Sequence, residues 1–112
     1  MEIVISDVKV RELCCSRRNL VRQFGEALAK RICCRLSMLE AAPTLAHMPI
    51  SPPIGLTAVD RKGTFSVMLD AAHRLHFRAT AFKAEWADEL HRVIEIDIIG
   101  PAPVQATRGT RK

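Results

Sequence analysis

The sequence predicts an α+β fold: a two-helix hairpin packed on one face of a small, mainly antiparallel β-sheet, in the order β-α-α-β-β-β-β. Three observations predict it. Leu20, Phe24, Leu28, Ile32 and Leu36 recur every fourth residue, the period of a helix with one buried stripe. Residues 65–79 alternate apolar and polar side chains in two short runs joined by Asp70-Ala71-Ala72, the pattern of a hairpin with one apolar face. A third alternating run follows at 92–99. Helix stripe and strand faces leave water together by packing on each other, which frees the opposite face of the sheet.

The elements follow in order. Residues 2–5, EIVI, are a short β-branched strand ended by Ser6-Asp7, which can cap a helix. Residues 7–17 read as a short helix with Val10, Leu13 and Cys14 inward. Arg17, Arg18 and Asn19 interrupt it, and Asn19 is the expected cap of a long second helix over 20–42. Glu26 and Lys30 form an i,i+4 pair on its outer side. Pro43 ends that helix, and PTLAHMPISPPIG (43–55) is a stiff, proline-laden connector. A weak strand at 55–59 leads to the turn Arg61-Lys62-Gly63.

In the hairpin, Phe65, Val67 and Leu69 point inward, with Ser66 and Met68 outward. Then His73, Leu75, Phe77 and Ala79 point inward, with Arg74, His76 and Arg78 outward. Residues 80–90 are a polar connector with a helical turn at 84–90. The last strand is expected to bury Ile94, Ile96 and Ile98 and to expose Val93, Glu95 and Asp97. From Gly100 onward the chain reads as a fraying basic tail. The expected division is therefore one domain, 1–99, and a flexible C-terminal segment, 100–112.

A chain of 112 residues supports a single core. Its 17 Lys and Arg against 12 Asp and Glu, a formal charge of +5, permit a polyanionic partner. With no Tyr and a single Trp, Trp86, aromatic stacking is not the expected way of gripping bases. No signal-like leader and no apolar run near the roughly 20 residues of a membrane span are present, so a cytoplasmic protein with no membrane partner is expected. The thiols occur as adjacent pairs, Cys14-Cys15 and Cys33-Cys34, a spacing that cannot clamp one metal as a CxxC knuckle does. They are expected as small hydrophobes, and neither a metal nor a cofactor is expected.

The outward trio is the candidate site. Arg74, His76 and Arg78 stand about 7 Å apart in sequence along one strand face, near the spacing of successive phosphates. Guanidinium forks suit phosphate oxygens. A histidine between two arginines is held neutral and can accept a proton near pH 7. These are the ingredients of RNA transesterification, in which the 2′-OH attacks the adjacent phosphate and arginine stabilises the charge that develops. A solvated charge ladder, with Glu95 and Asp97 pairing Arg74 and Arg78, fits the same residues. The residues alone leave both readings open. His73 shares the phase of Leu75 and Phe77 and reads as a packing residue, while His47 and His91 have no evident partner.

The element order, with RKGTFSVML followed by HRLHF and a closing VIEI, resembles the RelE/HigB-like toxins of bacterial type II toxin–antitoxin systems. The nearest likeness is to the plasmid-maintenance killer, or killer suppression, group. AKRICCRLSMLEAAPTLAHMPISPP is similar to that group's long second helix and proline loop, so the resemblance covers about residues 1–99. It implies an endoribonuclease that enters the ribosome and cleaves translated mRNA. It also implies a cognate helix-turn-helix antitoxin, with operator DNA contacted only through that antitoxin.

Carried over by residue, Arg74 matches the strand arginine at the scissile phosphate, and Arg61 and Lys62 match the basic turn; Arg78 joins them as a phosphate contact. Two departures stand out. GLTAVD precedes the turn where relatives carry a His and a Lys, and EIDIIG stands where relatives often show a Tyr-His ending. His76 is the catalytic substitute chosen by its facing. A catalytically weakened member that only binds an antitoxin is the alternative these departures raise. A gyrase inhibitor of the ParE branch is a third.

Overall fold

The computed structural model describes residues 1–104; residues 105–112 of the expected tail lie outside the described residues. Strand β1 (Glu2–Val4) is followed by three helices, α1 (Val8–Cys14), α2 (Arg17–Phe24) and α3 (Glu26–Ala41). Then come β2 (Thr57–Ala58), β3 (Thr64–Met68), β4 (His73–Ala79) and β5 (Glu95–Pro103), with 3-10 turns at Leu45–His47, Ala84–Asp88 and Leu90–Arg92. The strands form one open sheet in the order β1-β5-β4-β3-β2. Among the described residues only β1 and β5 pair in parallel; the other pairs are antiparallel. The α+β class is as expected.

The helical region differs from the expected hairpin of two helices. Asp7 caps α1 by accepting the Lys9 and Val10 N–H groups. Ser16, rather than Asn19, caps the next helix by accepting the Asn19 N–H at 3.2 Å, so Arg17–Asn19 form a first turn and not a break. The expected long helix is two helices, divided at Gly25, whose φ of 85° lies in the left-handed region. The four-residue period of Leu20, Phe24 and Leu28 runs straight across that glycine, so the apolar stripe carries no sign of the break.

Leu20, Leu28, Ala29, Ile32 and Leu39 bury one core together with Phe65, Val67, Leu69, Leu75, Phe77, Ala79, Ile96 and Ile98. Phe65 and Phe77 stack across β3 and β4 with ring centres 6.2 Å apart. The inward set of the hairpin is thus as the alternation predicts.

Strand β5 departs from expectation in extent and phase. It begins at Glu95 and runs through Pro103, so part of the segment read as tail belongs to the sheet. Val93 is buried and Ile94 is 63% exposed, the reverse of the expected pattern. The 3-10 turn at Leu90–Arg92 immediately before them interrupts the strand alternation. Further on, Phe77 pairs with Ile98 but His76 with Gly100, leaving Ile99 as a bulge residue.

The proline connector is tied to the sheet edge. The Gly55 N–H donates to the Ser51 carbonyl, Leu56 N–H to Pro49, and Met68 N–H to Ile54. Ile54 and Leu56 are buried beneath it. This packing carries the connector across the end of β3 and into β2.

Candidate functional site

The register of β3 against β4 sets Ser66 opposite His76 and Met68 opposite Arg74. Arg74 therefore lies diagonal to Ser66 on the outer face. Its Nε donates to Ser66 Oγ at 2.7 Å, and its Nη2 donates to the Gly55 carbonyl at 2.6 Å and more weakly to the Ser66 carbonyl at 3.3 Å. Ser66 is almost wholly buried. The Nη1 group makes no hydrogen bond among the described residues, so the inner edge of the fork is anchored and the other end remains for a ligand.

Arg74 and His76 line an open groove of about 370 Å³, with Thr57, Ala58 and Val59 of the β2 edge on one side and Pro103 and Val104 on the other. Burial, and then the charge of Arg74, push the His76 imidazole below its ordinary value, so it is neutral near pH 7. Burial also lowers Arg74 from its usual value, yet a guanidinium stays charged at any physiological pH. A fixed cation beside a neutral base on a concave surface can bind an anion and accept a proton from it or its neighbour.

Arg78 belongs to a different environment. It lies 3.6 Å from Asp97, whose carboxylate also accepts the Ser6 N–H at 2.9 Å and the Ser6 hydroxyl at 2.6 Å. Burial works against the Asp97 charge, but the Ser6 donors and Arg78 outweigh it and hold the carboxyl below its ordinary value. The expected charge ladder is thus half present. Arg78 is paired, whereas Arg74 meets a hydroxyl and carbonyls, and Glu95 accepts the Thr80 hydroxyl at 2.6 Å instead of an arginine.

Arg61 and Lys62 are exposed in the turn between β2 and β3. Asp60 shapes that turn by accepting the Lys62 and Thr64 N–H groups at 2.8 and 3.1 Å. The Gly63 carbonyl accepts the Ala79 N–H, which sets the turn at the Arg78 end of β4. Arg74 stands four residues back along the strand, about 13 Å away at the usual rise. The structure brings Arg74 and His76 into one groove; Arg78 stands apart from them beside Asp97, and Arg61 and Lys62 lie exposed in the β2–β3 turn.

Ser66, Gly55 and the Pro103–Val104 wall are the site residues that sequence reasoning missed. Ser66 was legible as outward, but nothing in the sequence tied it to Arg74. Cys14 and Cys33 are half-buried, as small hydrophobes should be, whereas Cys15 and Cys34 are exposed. Among the described residues no group of three or more His, Cys, Asp or Glu side chains is placed to hold a metal. No helix there is long and apolar enough to cross a membrane. No protein-family model, curated protein or solved structure matches the chain.

Proposed function

We propose that this chain is a RelE/HigB-like toxin of a type II toxin–antitoxin module, a cytoplasmic endoribonuclease that cleaves translated mRNA. The observation that carries this reading is Arg74, anchored on Ser66 and Gly55 with Nη1 unengaged beside a neutral His76. In the proposed reaction Nη1 holds a phosphoryl oxygen of the scissile phosphate. His76 takes the 2′-OH proton as the 2′-oxygen bonds to phosphorus, and the bond to the 5′-oxygen breaks. The products are a 2′,3′-cyclic phosphate and a 5′-hydroxyl whose proton comes from solvent. Arg61, Lys62 and Arg78 serve flanking phosphates, no cofactor takes part, and a helix-turn-helix antitoxin restrains the protein. Induction in cells with mapping of mRNA 5′ ends tests this: new ends and growth arrest are expected, and both should vanish in Arg74→Ala.

One observation favours a second reading. Among the described residues the groove is lined by no carboxylate and no lysine, and beside Arg74 and His76 its polar side chains are the hydroxyls of Thr57 and Ser66, so none of these residues is a dedicated acid for the leaving oxygen. On that ground the same face acts as a binding module for an antitoxin without cutting RNA. A stable complex with the neighbouring gene's product, formed without toxicity, selects it.

A further inference from the structure

We infer that Arg35, on α3 behind the sheet, is a positioning residue for Arg74, acting through the proline connector that both arginines grip. Arg35 is 9% exposed, and none of the ion pairs among the described residues includes it. A buried guanidinium without a counter-charge is costly unless its donors are taken up. Each nitrogen finds an acceptor: Nε donates to the Met68 carbonyl at 2.8 Å, Nη2 to the Pro53 carbonyl at 3.4 Å and Nη1, weakly, to the Met38 sulfur at 3.9 Å.

Three successive carbonyls of the connector are thereby claimed in turn. Arg35 takes Pro53, the Met68 N–H takes Ile54 at 2.7 Å, and Arg74 takes Gly55 at 2.6 Å. Met68 is common to the chain of contacts, since Arg35 also holds its carbonyl. Gly55 lies flush on the Met68 side chain: a Cβ there would stand 2.7 Å from its sulfur, and its φ of 58° suits glycine. The helix layer thus fixes the carbonyl on which the outer-face arginine is aimed. Arg31 is the natural control, because its Nη1 donates to the Leu69 carbonyl at 3.1 Å and it makes no hydrogen bond to the connector among the described residues.

The consequence for RNA rests on the function proposed above, but the positioning is tested without RNA. In nitrogen-15-labelled protein the Arg74 Nε–H, hydrogen-bonded to Ser66, is assigned by its disappearance in Arg74→Lys, and its exchange with solvent is measured. Arg35→Met, with its circular dichroism preserved, should speed that exchange about tenfold or more, while Arg31→Met should leave it unchanged. Unchanged exchange in Arg35→Met, or equal acceleration in Arg31→Met, overturns the inference. If Arg35→Met does not fold, Arg35→Lys, which cannot serve Met68 and Pro53 together, is read by the same criteria. Binding of single-stranded RNA is measured alongside for Arg74→Ala. Wild-type affinity there overturns the phosphate reading while leaving the positioning result intact.

Discussion

Replacing Arg74 by lysine separates charge from geometry at the groove. The native side chain makes two short charge-assisted hydrogen bonds, at 2.7 Å to Ser66 and 2.6 Å to Gly55. Fully buried, each contributes about 1.5–3 kcal/mol. Arg74 is only partly buried, so water recovers much of this and about 2 kcal/mol for the pair is the expected total. A lysine ammonium reaches one of the two acceptors at most. Arg74→Lys should therefore cost about 1 kcal/mol, near 4 °C in Tm for a domain of this size, and Arg74→Ala about twice that. Salt-dependent fluorescence anisotropy with a labelled single-stranded RNA gives the second readout. Lysine keeps the charge, so the slope of log K against log salt should hold while affinity falls about tenfold; alanine should lower affinity further and flatten the slope by about 0.7. Wild-type affinity in Arg74→Lys would refute the role given to the fork, and an unchanged slope in Arg74→Ala would refute phosphate contact altogether.

The remaining predictions address neighbouring features. Because His76 is depressed in the folded state, the unfolded chain binds its proton first, so this group's share of stability is complete above about pH 6.5 and declines as pH falls toward the lower folded value; His76→Gln should flatten the drop in urea midpoint between pH 7 and pH 5. Asp97→Ala strands the Ser6 N–H and hydroxyl and releases Arg78; a loss of about 2–3 kcal/mol in urea unfolding is expected, with a steeper salt slope for RNA. Gly63→Ala brings a Cβ within 2.8 Å of Phe82 at a φ of 97°, whereas Gly25→Ala meets no atom within 4 Å and carries only backbone strain. The first should cost more than the second, which is expected near 1–2 kcal/mol by thermal melting. With a thiol reagent at neutral pH, exposed Cys15 and Cys34 should react quickly, and Cys14, half-buried and pushed up to about 11, slowly.

The hairpin was the most legible part of the chain, because its alternation has a period of two and each strand has one apolar face. That rule placed Phe65, Val67, Leu75 and Phe77 inside and Arg74 and His76 outside, as observed. It failed at Val93 and Ile94, since the 3-10 turn at Leu90–Arg92 just before them has no strand phase to pass on. Gly25 was hidden for a different reason: two helices meeting at a glycine can preserve a four-residue stripe. The site was legible only in its facing. What Arg74 leans on, and whether a carboxylate neutralises it, depend on strand register, on the bulge at Ile99 and on a connector 19 residues away along the chain. None of these leaves a periodic trace.

The parallel pairing of β1 with β5 has a consequence for how the molecule comes into being. Ser6 and Asp97, joined at this seam, are 91 residues apart, so closing it requires nearly the whole described chain. Contacts of such separation are slow to form, and on a ribosome β5 emerges after every other described element. That strand also brings Pro103, one wall of the Arg74 groove. The groove is therefore among the last features to form, complete only when β5 has docked on β4.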